Sequence, residues 1–178
     1  LLDDSRFSTR WTTNSYQSFT APVTAADKVI FYSSNNQFVS WDSGTSAEIW
    51  RLPSSESWTN RASVSAGKLV YLTRTASNDG ELNVVDAATG ANLLSKPLAN
   101  SYYYSTPLVD EDTLYHFENN SRSFKAYSLT TGNLLWTSAA GNDYIDSSRK
   151  HLLGNGQVIV VGDSSLGVFS AVDGSLIK

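Results

Sequence analysis

The feature that most constrains this chain is a repeat. Residues 126–136 read AYSLTTGNLLW, a Thr-Gly turn signal set between two apolar pieces too short to stand alone. The same order recurs at 39–50 as VSWDSGTSAEIW, at 83–94 as NVVDAATGANLL and at 167–178 as GVFSAVDGSLIK. Aligned on the residue four before the Gly, or before Ser46 in the first unit, the marks are Asp42, Asp86, Ser128 and Ser170, spaced by 44, 42 and 42 residues. Self-similarity at a fixed period implies one small unit stacked several times, because a unit of this size cannot bury its apolar face alone.

The columns of the repeat describe strands. Phe38, Leu82, Phe124 and Leu166 share one column, and Trp41, Val85, Tyr127 and Phe169 another. Earlier in each unit, Val29-Ile30-Phe31-Tyr32 matches Leu69-Val70-Tyr71-Leu72, Leu114-Tyr115-His116-Phe117 and Val158-Ile159-Val160-Val161. Before those stand Ala21-Pro22-Val23, Ala62-Ser63-Val64, Thr106-Pro107-Leu108 and, more loosely, His151-Leu152-Leu153. The runs are short, rich in β-branched and aromatic residues, and bounded by Gly, Asn, Asp and Ser, which is strand chemistry. No segment keeps a helical spacing. Four strands in a unit of roughly 40 to 50 residues make a β-propeller blade. The Thr-Gly turn then joins third and fourth strands, with Gly supplying positive φ. Trp50 and Trp136 are expected to cap their blades against the neighbouring sheet, and Pro22 and Pro107 to stand at the start of a strand, where a missing N–H is tolerated.

These residues resemble the PQQ-like propeller repeat, whose pattern runs Pro-Val, Val-Tyr-Val, Leu-Tyr-Ala-Leu-Asp and then Thr-Gly-x-x-x-Trp. The best copy runs from Thr106-Pro107-Leu108 through Phe124-Lys125-Ala126-Tyr127-Ser128-Leu129 to Thr131-Gly132 and Trp136. The resemblance covers residues 7–178, with Ser46 in place of Gly, and Leu94 and Lys178 in place of Trp. It implies an all-β propeller of four-stranded antiparallel blades that closes with seven or eight of them, so four repeats read as a partial, open array. Propellers of this type include quinone-dependent dehydrogenases, BamB-like scaffolds of outer-membrane assembly and propellers of the endoplasmic-reticulum lumen.

The chain reads as one segment, 1–178. Residues 1–11 form the outer strand of a preceding blade, since FSTRW at 7–11 resembles the strands ending in Trp50 and Trp136. Blades follow at 20–50, 61–95, 105–137 and 149–178. A closed four-bladed ring is the other reading of the extra strand. Open edges of such an array are expected to pair with further blades or with another copy of the chain.

Composition narrows the function. A net charge of −4, a pI near 5.0 and 13 scattered Lys and Arg residues argue against sequence-independent nucleic-acid binding, which needs a clustered basic surface. No apolar run approaches the roughly 20 residues of a membrane span. With 0 Cys the chain has neither disulfides nor thiol chemistry of its own. Its 0 Met, together with abundant Ser, Thr, Asn and Tyr, point to a processed or excised chain that is exported: periplasmic, extracellular or in the endoplasmic-reticulum lumen. In a eukaryotic secretory setting Asn119-Asn120-Ser121 makes Asn119 a glycosylation acceptor.

Catalytic and metal constellations are not evident, and the expected cofactor is none. His116 stands in a column held otherwise by Phe31, Tyr71 and Val160, so it reads as a packed strand histidine; His151 has no matching partner. Asp110-Glu111-Asp112 matches Ala66-Gly67 and Gly154-Asn155-Gly156, a hairpin turn without the ligand alternation of a calcium loop. GDSSLG at 162–167 falls in a hairpin and not in the strand-to-helix turn of a nucleophile elbow. Quinone enzymes of the resembling family hold their quinone with calcium, commonly beside adjacent cysteines, and this chain has no cysteine. Binding is the better expectation. The loops joining second to third strands and outer to next inner strands share one end of a propeller, and there the sequence places Phe19, Trp58, Tyr103, Tyr104 and Tyr144, with Arg61 and Arg149. Rigid amphipathic rings with polar companions suit a protein or peptide partner. The other reading is that these rings pack between blades. The chain is thus expected to be a non-catalytic scaffold; the alternative is a segment of a quinone-dependent dehydrogenase whose catalytic residues lie outside it.

Overall fold

The computed structural model describes residues 23–33, 37–52, 62–74, 79–98, 106–118, 121–138, 151–161 and 166–178. Blade I is β1 (Val23–Ala25), β2 (Lys28–Ser33), β3 (Gln37–Asp42) and β4 (Glu48–Arg51); blade II is β5 (Ala62–Ser65), β6 (Lys68–Arg74), β7 (Gly80–Asp86) and β8 (Asn92–Leu98). Blade III is β9 (Leu108–Asp110), β10 (Thr113–Glu118), β11 (Ser123–Ser128) and β12 (Leu134–Thr137), and blade IV is β13 (Leu152–Gly154), β14 (Gln157–Val161) and β15 (Leu166–Ser170). Within each blade the strands follow chain order and pair antiparallel. In blade IV the outer segment touches β15 through a single bridge, Phe169 to Leu176. It nevertheless runs the course of an outer strand, with Ile177 N–H donating to Val168 O at 2.7 Å and Val168 N–H to Lys178 O at 2.9 Å.

The second and third strands of blades II and III are buried on both faces, which is why they read as near-continuous apolar runs. Successive side chains point to opposite faces, so alternate residues serve the preceding and the following seam. Ile30, Phe38 and Trp50 of blade I meet Leu69, Val85 and Ala87 of blade II. Val70, Leu72, Leu82 and Val84 on the other face of blade II meet Leu114, Tyr127 and Leu129 of blade III. Tyr115, Phe117, Phe124 and Ala126 of blade III meet Val158 and Val160 of blade IV. At about 1.5–3 kcal/mol for each large apolar side chain fully buried, the seams outweigh any single turn as the source of order.

The inner strands run side by side in the order β1, β5, β9, β13, and the sheets are placed radially from them. The all-β architecture expected from the repeat is the architecture found: antiparallel blades and no helix among the described residues. Among those residues no helix is long and apolar enough to cross a membrane. Pro107 stands immediately before β9 as expected, and its carbonyl accepts a 2.5 Å bond from the Ser63 hydroxyl of blade II. Pro22 lies outside the described residues. Chain direction divides the ends of the molecule. Turns joining first to second and third to fourth strands share the lower end; the remaining connections leave from the upper end.

Candidate recognition face

The lower end is closed by its own hydrogen bonds. Asp42 Oδ1 accepts from the backbone N–H of Gly44 at 3.0 Å and Thr45 at 2.6 Å, and from the Thr45 hydroxyl at 2.7 Å. Asp86 repeats the pattern with Ala88, Thr89 and the Thr89 hydroxyl, and Ser128 Oγ receives Thr130 and Thr131 N–H at 3.2 Å. This explains why the mark of every unit is Asp or Ser: a short acceptor side chain organises the turn. The hydroxyl of Thr45, then its backbone N–H, holds the Asp42 carboxyl below the usual range, and Thr89 does the same for Asp86. Four residues after the mark, φ is positive at Ser46 (60°), Gly90 (73°), Gly132 (67°) and Gly174 (72°).

A second lower latch links blades II and III. Lys68 Nζ reaches Asp112 Oδ1 at 2.5 Å, while the Thr130 and Ser128 hydroxyls donate to the same carboxylate at 2.6 and 3.0 Å. Burial raises the Asp112 carboxyl, but the bonds from Lys68, Thr130 and Ser128 outweigh it and bring it down to about 2. The run Asp110-Glu111-Asp112 is therefore a hairpin turn, as its column predicts, with Glu111 at φ 47°.

The upper end is built differently. At the top of blade III, Glu118 is buried, pairs with Lys125 at 2.8 Å and accepts a hydrogen bond from the Ser121 hydroxyl. Ser121 and Ser123 hydroxyls meet at 2.5 Å. At the top of blade II, Asn83 Nδ2 donates to the Thr73 hydroxyl at 2.8 Å, and the Ser95 hydroxyl donates to Asn83 Oδ1 at 3.0 Å. His116 is fully buried, as a packed strand histidine should be, and His151 stands edge-on to Phe124 with ring centroids 5.3 Å apart. Burial pushes His116 down to about 4 and His151 below its ordinary value. Burial, and then Glu118, push the Tyr127 hydroxyl up to about 12. Sequence reasoning passed over the Glu118–Lys125 pair, because its members face each other only once the register of β10 against β11 is known.

The predicted partner-binding residues Phe19, Trp58, Tyr103, Tyr104, Tyr144, Arg61 and Arg149 all lie outside the described residues, as do Asn119 and residues 162–165. The strands between which the connections 53–61, 99–105 and 139–150 run do end and begin at the upper end. Along the axis, the inner strands line a wide-open cavity of about 440 Å³ bordered by Val23, Thr24, Ser63, Pro107, Val109 and Leu153 among others. Among the described residues no group of three or more His, Asp or Glu side chains is placed to hold a metal ion.

Residues 42–177 match the family model of the outer membrane protein assembly factor BamB. Among curated proteins none matches. Of solved structures, BamB from Moraxella catarrhalis is 19% identical with a TM-score of 0.65, over 95% of this chain and 50% of that one. The chain thus spans half the length of that relative. The computationally designed protein Ika4 is 14% identical with a TM-score of 0.71, over 92% of this chain and 98% of that one. A europium-containing methanol dehydrogenase is 12% identical with a TM-score of 0.69, over 89% and 40%. At these identities the structural likenesses speak for the fold alone.

Proposed function

The chain belongs to the PQQ-like propeller family of the outer membrane protein assembly factor BamB, and on that footing we propose that it is a non-catalytic scaffold recognising a protein or extended peptide partner. The observation that carries this reading is the family match over residues 42–177. The contrast between the two ends supports it. The lower end satisfies its own polar groups in short turns, whereas the upper end sends out the long connections 53–61, 99–105 and 139–150 with Trp58, Tyr103, Tyr104 and Tyr144. Long connections on a rigid scaffold are where recognition is commonly placed. An exported location and a role in handling outer-membrane proteins fit the same match.

The runner-up, a segment of a quinone-dependent dehydrogenase, draws on the likeness to the methanol dehydrogenase. The described residues do not fit a calcium-held quinone: those lining the axial cavity carry hydroxyls and aliphatic groups but no carboxylate.

Photo-crosslinkers placed at Trp58, Tyr103 and Tyr144, and as controls at Thr45, Thr89 and Thr131 of the lower turns, test the proposal in the native host. A discrete protein adduct from the upper positions alone is expected; equal labelling from both ends, or none, overturns it. Alanine at Phe19, Trp58, Tyr103, Tyr104 or Tyr144 should weaken capture of that adduct partner by about 1–3 kcal/mol at the hot spots with folding stability kept. Loss of folding in all five instead assigns the rings to the blade core.

A further inference from the structure

Each seam of blade III holds a buried imidazole at its upper end, His116 from blade III itself and His151 from the residue that leads into β13 of blade IV. His116 is 1% exposed and His151 8%, and among the described residues none of their ring nitrogens has a hydrogen-bond partner. Buried polar groups are normally bonded, so two such rings on the two faces of one blade call for an account. Strand alternation puts His116 on the face of Leu114, towards blade II, and puts Phe117 on the opposite face, towards blade IV. His151 packs against that second face, at 88° to the Phe124 ring and with its centroid 6.5 Å from Phe117. A neutral imidazole serves there as a flat, nearly apolar plate. An imidazolium presents two N–H donors and a full charge where, among the described residues, no acceptor waits.

The charged surroundings do not rescue the protonated form. Among the described residues, those acting on His116 are Glu118, Lys125 and His151. Glu118 is the one anion, and it is already held by Lys125 at 2.8 Å and by the Ser121 hydroxyl. In the same column of blade II stands Tyr71, which burial, and then Glu81, keep neutral up to about 12.

We propose that His116 and His151 make blade III an acid-sensitive joint, whose upper seams to blades II and IV loosen on mild acidification while its lower joints stay closed. The direction follows from linkage. Burial lowers both rings, His116 to about 4, so the opened chain binds more protons than the closed one. The stabilisation is complete above the ordinary histidine value of about 6.5 and is lost as pH falls from there towards about 4. The lower carboxylates Asp42, Asp86 and Asp112 are all held below their usual value, so their contribution fails only at still lower pH.

Denaturant unfolding of the full chain, with His116→Tyr, His151→Phe and the double variant beside it, tests this. Between about pH 7 and about pH 4.5 the unfolding constant of the unsubstituted chain should rise by at least about thirtyfold, and that of the double variant by less than about fivefold. Parallel profiles overturn the proposal. Should the variants fail to fold, imidazole NMR of the unsubstituted chain with amide exchange decides. Both rings should stay neutral well below pH 6.5 while exchange quickens at Phe117 and Phe124 and not at Leu114 or Tyr127. Rings that titrate near 6.5 in the folded chain, or exchange that quickens evenly along β10 and β11, overturn it as well.

Discussion

The joints between blades are made in two ways. Where blade I meets II, the Trp50 indole N–H donates to Ala87 O at 3.1 Å and its ring covers Gly90; where III meets IV, Trp136 does the same to Ala171 and Gly174. Where II meets III the tryptophan is Leu94, the alanine is Leu129, and the glycine, Gly132, lies under the Lys96 stem and Leu94. Large faces small at two joints, and medium faces medium at the third. The difference teaches that what recurs from seam to seam is a filled volume, which interiors hold to crystal-like density, and not one residue type. The indole adds a directed bond that leucine cannot make.

The strongest way to break the comparison is truncation. Trp50→Ala removes a buried ring and its bond to Ala87, and should cost about 3–5 kcal/mol in chemical unfolding. Leu94→Ala removes a smaller, partly buried side chain and should cost less than about 2 kcal/mol. Transplanting the joint sharpens the point. Leu94→Trp and Leu129→Ala should each destabilise alone, yet together recover at least about 1 kcal/mol relative to their sum. Strict additivity there would show that the two residues do not share a volume.

The glycines divide along the same line. Gly90→Ala forces a side chain into positive φ and brings its Cβ to 2.9 Å from Trp50 Cγ and Cδ2, atoms of a ring pinned by its hydrogen bond. Backbone cost and overpacking together should reach about 2–5 kcal/mol. In Gly132→Ala the nearest atom is Lys96 Cδ at 2.5 Å, part of a flexible stem that can swing aside. Only the backbone cost of about 1–2 kcal/mol should remain. Equal losses at the two sites would mean that the indole gives way as readily as the lysine.

Much of this was legible in the residues. Period, strand order, the positive-φ turn and the capping role of Trp50 and Trp136 are properties of columns, and columns can be read without coordinates. The match of Leu94 with Leu129 was present in the same columns but joins two successive units, so noting that Leu94 departs from Trp did not reveal what compensates it. The Glu118–Lys125 pair has no counterpart elsewhere in the repeat: Thr73 and Asn83 stand at those places in blade II, and a singular feature leaves no periodic trace. The proposed recognition residues Phe19, Trp58, Tyr103, Tyr104 and Tyr144 stand between the columns of the repeat, where spacing carries the least information.

The smallest effect isolates the backbone role of the turn residue from the joint. Ser46 holds the glycine column of blade I at φ 60°, a conformation that costs a non-glycine residue about 1–2 kcal/mol. Two terms oppose the gain from relieving it. Glycine loosens the unfolded chain, at about 0.4–1 kcal/mol, and the substitution removes the Ser46 hydroxyl bond to the Thr45 carbonyl at 2.5 Å. That bond is exposed and spans adjacent residues, so water replaces it at little cost. Ser46→Gly should therefore stabilise the chain by about 0.5 kcal/mol, read as a higher urea midpoint at unchanged slope. The reverse change at the same column, Gly132→Ser, should lower the midpoint by about as much as Ser46→Gly raises it, because the Lys96 stem swings aside and leaves the backbone cost. A midpoint that falls for Ser46→Gly would show the hydroxyl bond outweighing the strain, and the column would then ask for glycine at the joints alone.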